Sequence, residues 1–205
     1  MYPPLSRPGC SRPTCVTSGE SENNYYSTYQ GFPLDVQKDG KKLLSWRVQI
    51  LPYIDQDGLY KKFKLDEPWD SEHNKKVLEE NLMPPVYALP GLTKPGEKAT
   101  HLQVFVGNGA FFDADKPTAI KDVTDGTSNT IMAVNGAKAV PWTKPADIEF
   151  DPKADPKTSL LLYDDGYILL FADGSVRFAS KNITADTLRK LITRAGGEVV
   201  DNRDF

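Results

Sequence analysis

The sequence predicts an α+β fold: an antiparallel sheet with helices in the first half and one C-terminal helix. Three observations predict the α+β class. In Tyr167-Ile-Leu-Leu-Phe-Ala-Asp-Gly-Ser-Val-Arg-Phe178 an Asp-Gly pair joins two apolar runs, and a tight primed hairpin turn needs the φ > 0 that glycine tolerates. Trp46, Ile50, Tyr53 and Ile54 recur at helical spacing near the start, as do Leu188, Leu191 and Ile192 near the end. Between them the strand-like runs follow one another instead of alternating with helices, which is the α+β order.

Taken in order, residues 1–30 are poor in aliphatic side chains and rich in Pro, Ser, Thr, Asn and Tyr. They read as an extended or disordered lead-in pinned by its tyrosines, ahead of a single domain over residues 31–205. Residues 31–42 read as extended chain turning at Asp39-Gly40. Ser45 caps a helical pattern over 46–56. Pro52 lacks a backbone donor, so it either kinks that helix near Gln49 or opens a second short one. Leu59, Tyr60 and Phe63 prolong the apolar face. Asp70 is the expected cap of a helix over 71–82, with Lys75-Lys76 placed after its acidic start to suit the helix dipole. Met83-Pro84-Pro85 ends it, and residues 86–90 are expected to be extended, with a loop to 100.

Residues 101–106 alternate as a strand that ends at Gly107-Asn-Gly109. A loop over 110–118 and a turn-rich stretch over 121–129 lead into a strand over 130–134. Residues 136–160, rich in Pro, Lys and Asp with Trp142 as the bulky anchor, read as a surface excursion. In the hairpin, residues 167–171 suit a strand covered on both faces. Val176 and Phe178 alternate with Ser175, Arg177 and Ala179 as in a half-exposed strand. Thr184 caps a helix over 185–194, Ala195-Gly196-Gly197 stops it, and residues 198–200 add an edge strand.

At 205 residues the chain is long enough for a sizeable core. Its net charge of -3 and scattered Lys and Arg argue against a nucleic-acid binder. No apolar run reaches the roughly 18–20 residues of a membrane span, and the first residues lack the pattern of a secretory signal. Cys10 and Cys15 form either a local disulfide or two free thiols, and neither has the partners for a zinc site.

Paired acids at Asp113/Asp115, Asp122/Asp125 and Asp164/Asp165 invite metal chemistry, but such residues among Thr, Ser and Gly more economically make turns that bond their own backbone. Asp125-Gly126 and Asp173-Gly174 are therefore structural motifs, as are Trp46 and Trp69, read as core anchors. The alternative is a small-ligand or Ca²⁺-binding module using Asp122, Asp125 and Asp173 with loop carbonyls. No serine sits in a nucleophile elbow, and His73 and His101 lack triad context. No enzyme is read from this chain, and no cofactor beyond the Ca²⁺ alternative.

Several segments together resemble one known family. Ser45-Trp-Arg-Val-Gln-Ile-Leu-Pro-Tyr-Ile-Asp-Gln56, Leu65-Asp-Glu-Pro-Trp-Asp-Ser71, His73-Asn74 and Met83-Pro-Pro-Val-Tyr87 occur in order. Phe105-Val-Gly107, Asp122-Val-Thr-Asp-Gly-Thr-Ser-Asn-Thr130, Val140-Pro-Trp-Thr-Lys-Pro145 and Phe171-Ala-Asp-Gly-Ser-Val-Arg-Phe178 follow. The combination resembles the mostly planctomycete family of uncharacterised proteins with a prepilin-type processing-associated domain. Its signature is a His followed by nine residues and Asp-Gly. Here Asp173-Gly174 takes the Asp-Gly place and Tyr163 the His place, and the family's long apolar prepilin helix is absent from this chain. The resemblance implies a pseudopilin-like head at the outer side of the cytoplasmic membrane, with pilin-like or other envelope proteins as partners and no enzymatic activity. The surface expected to meet them is the loops around 107–118 and 136–160.

Overall fold

The computed structural model describes residues 25–198 and 200. Cys10, Cys15 and most of the lead-in lie outside the described residues, as does Val199.

A helical turn over residues 25–29 sets Tyr25 and Tyr29 against Tyr53, with ring centroids 5.4 and 6.5 Å apart, and Tyr26 lies 5.0 Å from Phe32. The tyrosines do pin this end of the lead-in. Burial and its tyrosine neighbours push the Tyr25 hydroxyl up to about 12. Strands β1 (Val36–Lys38) and β2 (Lys41–Leu44) then form a hairpin. Its two turn residues, Asp39 and Gly40, both have positive φ, at 51° and 72°, which is the primed two-residue turn.

Ser45 caps α1 (Trp46–Gln49), its hydroxyl accepting the Arg47 N–H. Pro52 falls in the first turn of a separate 3-10 segment, Leu51–Ile54, so the missing donor divides the helical pattern instead of kinking one helix. A short α2 (Asp57–Tyr60) follows and brings Leu59 and Phe63 into the core. Helix α3 (Glu72–Glu80) is capped by Ser71 and not by Asp70. Asn74 explains the shift. Its buried amide donates to the carbonyls of Lys64, Glu67 and Pro68 and accepts the Lys64 N–H. Its own N–H is bonded by the Ser71 hydroxyl at 3.2 Å. The helix therefore starts where Asn74 can clasp the preceding loop. Residues 86–90 are not extended throughout: Pro85–Tyr87 forms a 3-10 turn that sends Val86 and Tyr87 inward.

The strand expected over 101–106 is two. β3 (Ala99–Gln103) and β4 (Phe105–Val106) are separated at Val104. β5 (Ile131–Pro141) is far longer than expected and runs through the first part of the supposed surface excursion. Trp142 is fully buried at its end, stacked on Tyr87, and β6 (Ile148–Glu149) pairs in parallel with β4. Little of 136–150 is thus a free loop; pairing with β3 on either side of a bulge at 136–139 supplies what the polar composition hid.

β7 (Gly166–Phe171) and β8 (Val176–Ser180) complete a four-stranded antiparallel sheet in the order β3-β5-β7-β8. β7 is covered on both faces. Leu170 packs into a cluster with Trp46, Ile50, Leu51 and Trp142. Leu169 and Phe171 pack into a second cluster with Leu188, Leu191 and Ile192 of α4 (Ala185–Ile192). Each of those three α4 side chains is fully buried, which stabilises the docking by about 1.5–3 kcal/mol apiece. Thr184 caps α4 through the Thr187 N–H, and the helix ends at Ile192, two residues before the expected stop. Glu198 is not in a strand.

The 173–174 turn is a hairpin turn of another kind than expected. Only Gly174 has positive φ, at 83°, while Asp173 stays at negative φ. The Gly174 N–H donates to the Phe171 carbonyl at 2.9 Å, and the Phe171 N–H donates to the Ser175 carbonyl at 2.8 Å. This is a three-residue loop in which glycine forms the left-handed bulge. The bulge phases β8 so that Ala179 is buried, whereas Phe178 is 51% exposed.

Candidate functional site

The two Asp-Gly motifs meet at one end of the sheet. The Ala172 N–H donates to the Thr130 carbonyl, and the Asp173 N–H to the Thr127 carbonyl at 3.1 Å. The carboxylates, however, serve their own backbone. Asp173 accepts the Ser175 N–H at 2.8 Å. Asp122 accepts the Ala119 N–H at 2.9 Å. Asp125 accepts from Gly196 and Gly197 at 2.7 and 2.9 Å, which straps the chain beyond α4 to the loop. Gly126, at φ 92°, lets that loop turn beneath Asn129. Among the described residues no three His, Cys, Asp or Glu side chains converge. Asp122, Asp125 and Asp173 therefore do not form the shared ligand set that the Ca²⁺ alternative needs.

The strongest electrostatic constellation lies elsewhere, on residues that sequence reasoning passed over. Asp147 and Arg47 form an ion pair at 2.8 Å with side chains 1% and 0% exposed. Asp147 Oδ1 also accepts the Val104 N–H, and its Oδ2 accepts Trp46 Nε1. Arg47 donates Nε and Nη2 to the Leu102 carbonyl and Nη1 to Ser45 Oγ. Beside this pair stands Asp35, whose oxygens accept the Trp46 N–H at 3.0 Å and Lys42 Nζ at 3.1 Å. Burial, and then the neighbouring Asp147 charge, push the Asp35 carboxyl above its ordinary range; Lys42 and the Trp46 N–H oppose them.

Each oxygen of both carboxylates already has a donor. The notch they line with Pro33, Trp46 and Phe112 leaves room for about one water. Chemically the arrangement is a clasp. It fastens α1 to β3 and to the segment before β6, and a buried charge matched this fully is a structural device.

Trp46 is thus both core and clasp, as its expected anchoring role requires, and it also stacks on Phe112. Trp69 is half-buried, with Lys144 Nζ 5.4 Å above its ring. His73 is exposed on α3 and bonds the Lys62 carbonyl, while His101 bonds the Gly136 carbonyl. Tyr163 occupies the turn before β7, where it exchanges two backbone bonds with Gly166. The whole of β7 lies between that turn and Asp173, so the two signature places stand about 20 Å apart along a strand rising about 3.3 Å per residue. A residue at the Tyr163 place and the Asp173 carboxylate cannot act on one atom. The spacing brackets a strand with two turns.

Residues 19–102 match the model of a family described as a protein of unknown function, DUF1559. The match spans the clasp residues Asp35, Lys42, Trp46 and Arg47 but stops before Asp147 and the 166–180 hairpin. No curated protein and no solved structure matches the chain.

Proposed function

We propose that the protein is a non-enzymatic structural and interaction module, a pseudopilin-like head that works in envelope or secretion assembly on the outer side of the cytoplasmic membrane. The observation that carries this reading is the fate of the acids. Asp35 and Asp147 are consumed in a clasp, and Asp122, Asp125 and Asp173 in turns and a strap, so the polar chemistry of the chain builds its scaffold. The four-stranded antiparallel sheet behind helical N-terminal segments suits such a head, and the sequence resemblance supports the lineage.

Fractionation of native cells followed by cross-linking tests the reading. The protein is expected in the envelope fraction, joined to a pilin-like or other envelope protein. Recovery solely from the cytoplasmic fraction, without any cross-linked partner, would contradict it.

A further inference from the structure

Strand β8 is an edge of the central sheet and pairs with β7 alone. The register dictates which backbone groups face out. Phe171 bonds Ser175, and Lys181 bonds Asp165, so in this antiparallel ladder Arg177 and Ala179 bond inward to β7. The N–H and C=O groups of Val176 and Phe178, and the N–H of Ser180, therefore point away from the sheet. Among the described residues they have no hydrogen-bond partner.

Edge strands are normally blunted by prolines, bulges or charges. β8 has no proline, its pairing with β7 shows no register shift, and its one charge, Arg177, is drawn over the Phe171 ring, 4.3 Å from the ring centroid. At its centre stands Phe178, 51% exposed. Its ring leans over Gly166, where a Cβ would approach two ring carbons at 2.7 Å. One part of the ring thus covers a glycine in the neighbouring strand, and the remainder faces solvent.

We propose that β8 is a self-association surface, on which β8 of a second copy pairs antiparallel about a two-fold axis at Phe178. The proposal rests on the reading of the protein as an interaction module and names one partner for it. The geometry is self-complementary. Phe178 faces outward at the middle of the strand, so it can exchange both backbone bonds with its own symmetry mate. The Ser180 N–H then meets the Val176 carbonyl of the partner copy on each side of the axis. The charges are compatible in this register: Arg177 falls opposite Ala179 and Lys181 opposite Ser175, so no like charges face each other. The two Phe178 rings meet on one face, extending the apolar strip of Leu170 and Ile168 across the joined sheets.

The test is a concentration series of the full chain by sedimentation equilibrium, up to about 1 mM, the weak end of specific association. A monomer–dimer equilibrium is expected, weakened at least about tenfold in Phe178→Lys, since a charged edge opposes strand addition. A second measurement does not depend on how that variant folds. In a Cys10→Ser/Cys15→Ser background, Phe178→Cys should oxidise to a symmetric dimer, because paired Cα atoms stand about 5.5 Å apart, within disulfide reach. Leu162→Cys, at another exposed apolar position, should not. A protein that stays monomeric throughout, or cysteines at 162 and 178 that cross-link alike or not at all, overturns the proposal. Either result leaves the envelope reading to its own cross-linking test.

Discussion

Along β3 the edge of the sheet is met from inside the fold. The Leu102 carbonyl receives two guanidinium bonds from Arg47, its N–H goes to the Thr100 hydroxyl, and the Val104 N–H goes to Asp147. A register shift between Thr100 and Leu102 breaks the ladder as well. Along β8, five strands later in the chain but in the same sheet, no side chain among the described residues comes to the outward amides and the ladder is regular. The difference teaches where this fold spends its buried charge. Closing an edge with an ion pair requires desolvating both partners and satisfying their remaining lone pairs. The chain meets that requirement at β3 and leaves β8 available for another strand.

The comparison is broken most severely at the closed edge. Asp147→Ala leaves the Arg47 guanidinium buried without its counter-ion and strips Trp46 Nε1 and the Val104 N–H of their acceptor. We expect a loss of about 3–5 kcal/mol in urea unfolding. Unchanged stability would mean that the clasp does not hold α1 on β3.

A smaller effect sharpens the same region. The folded-state pKa of Asp35 is raised, mainly by burial and then by Asp147, so the native state holds this proton more tightly than the unfolded chain does. Ionised Asp35 therefore costs stability at neutral pH. That cost falls as pH drops through the folded value and is gone below the unfolded value of about 3.9. Asp35→Asn keeps an acceptor for the Trp46 N–H and loses the Lys42 ion pair. It should lie within about 1 kcal/mol of the parent at pH 7. The parent should then gain on the variant between pH 7 and pH 4. A difference independent of pH would contradict the arrangement of Asp35, Asp147 and Lys42.

The sequence carried the α+β class, the Ser45 and Thr184 caps, a disruption at Pro52 left open between a kink and a second short helix, and the hairpin itself, because each rests on chemistry local to a few residues. What it did not carry depends on register or on distant partners. Asp39-Gly40 and Asp173-Gly174 are the same dipeptide, yet the first makes a primed turn and the second a turn with a bulge. Local chemistry marks the turn, while strand register selects its type, and that choice also sends Phe178 outward. Asp147 sits in a polar, proline-rich stretch with no periodicity, and its partner Arg47 is 100 residues away. Nothing nearby in the chain signals the pair. A lone arginine between Trp46 and Val48, the only charge in the helical pattern before Asp55, was the one available cue, since a buried charge demands a counter-ion.

The most direct test of the contrast between the edges is native-state hydrogen exchange, resolved by residue and measured in dilute solution where molecules stay apart. Along β8 the amides should alternate: Val176, Phe178 and Ser180 exchanging fast, Arg177 and Ala179 slowly, while Leu102 on β3 and Val104 just beyond it are protected. Uniform protection along Val176–Ser180, or fast exchange at Val104, would contradict a sheet closed at one edge and open at the other.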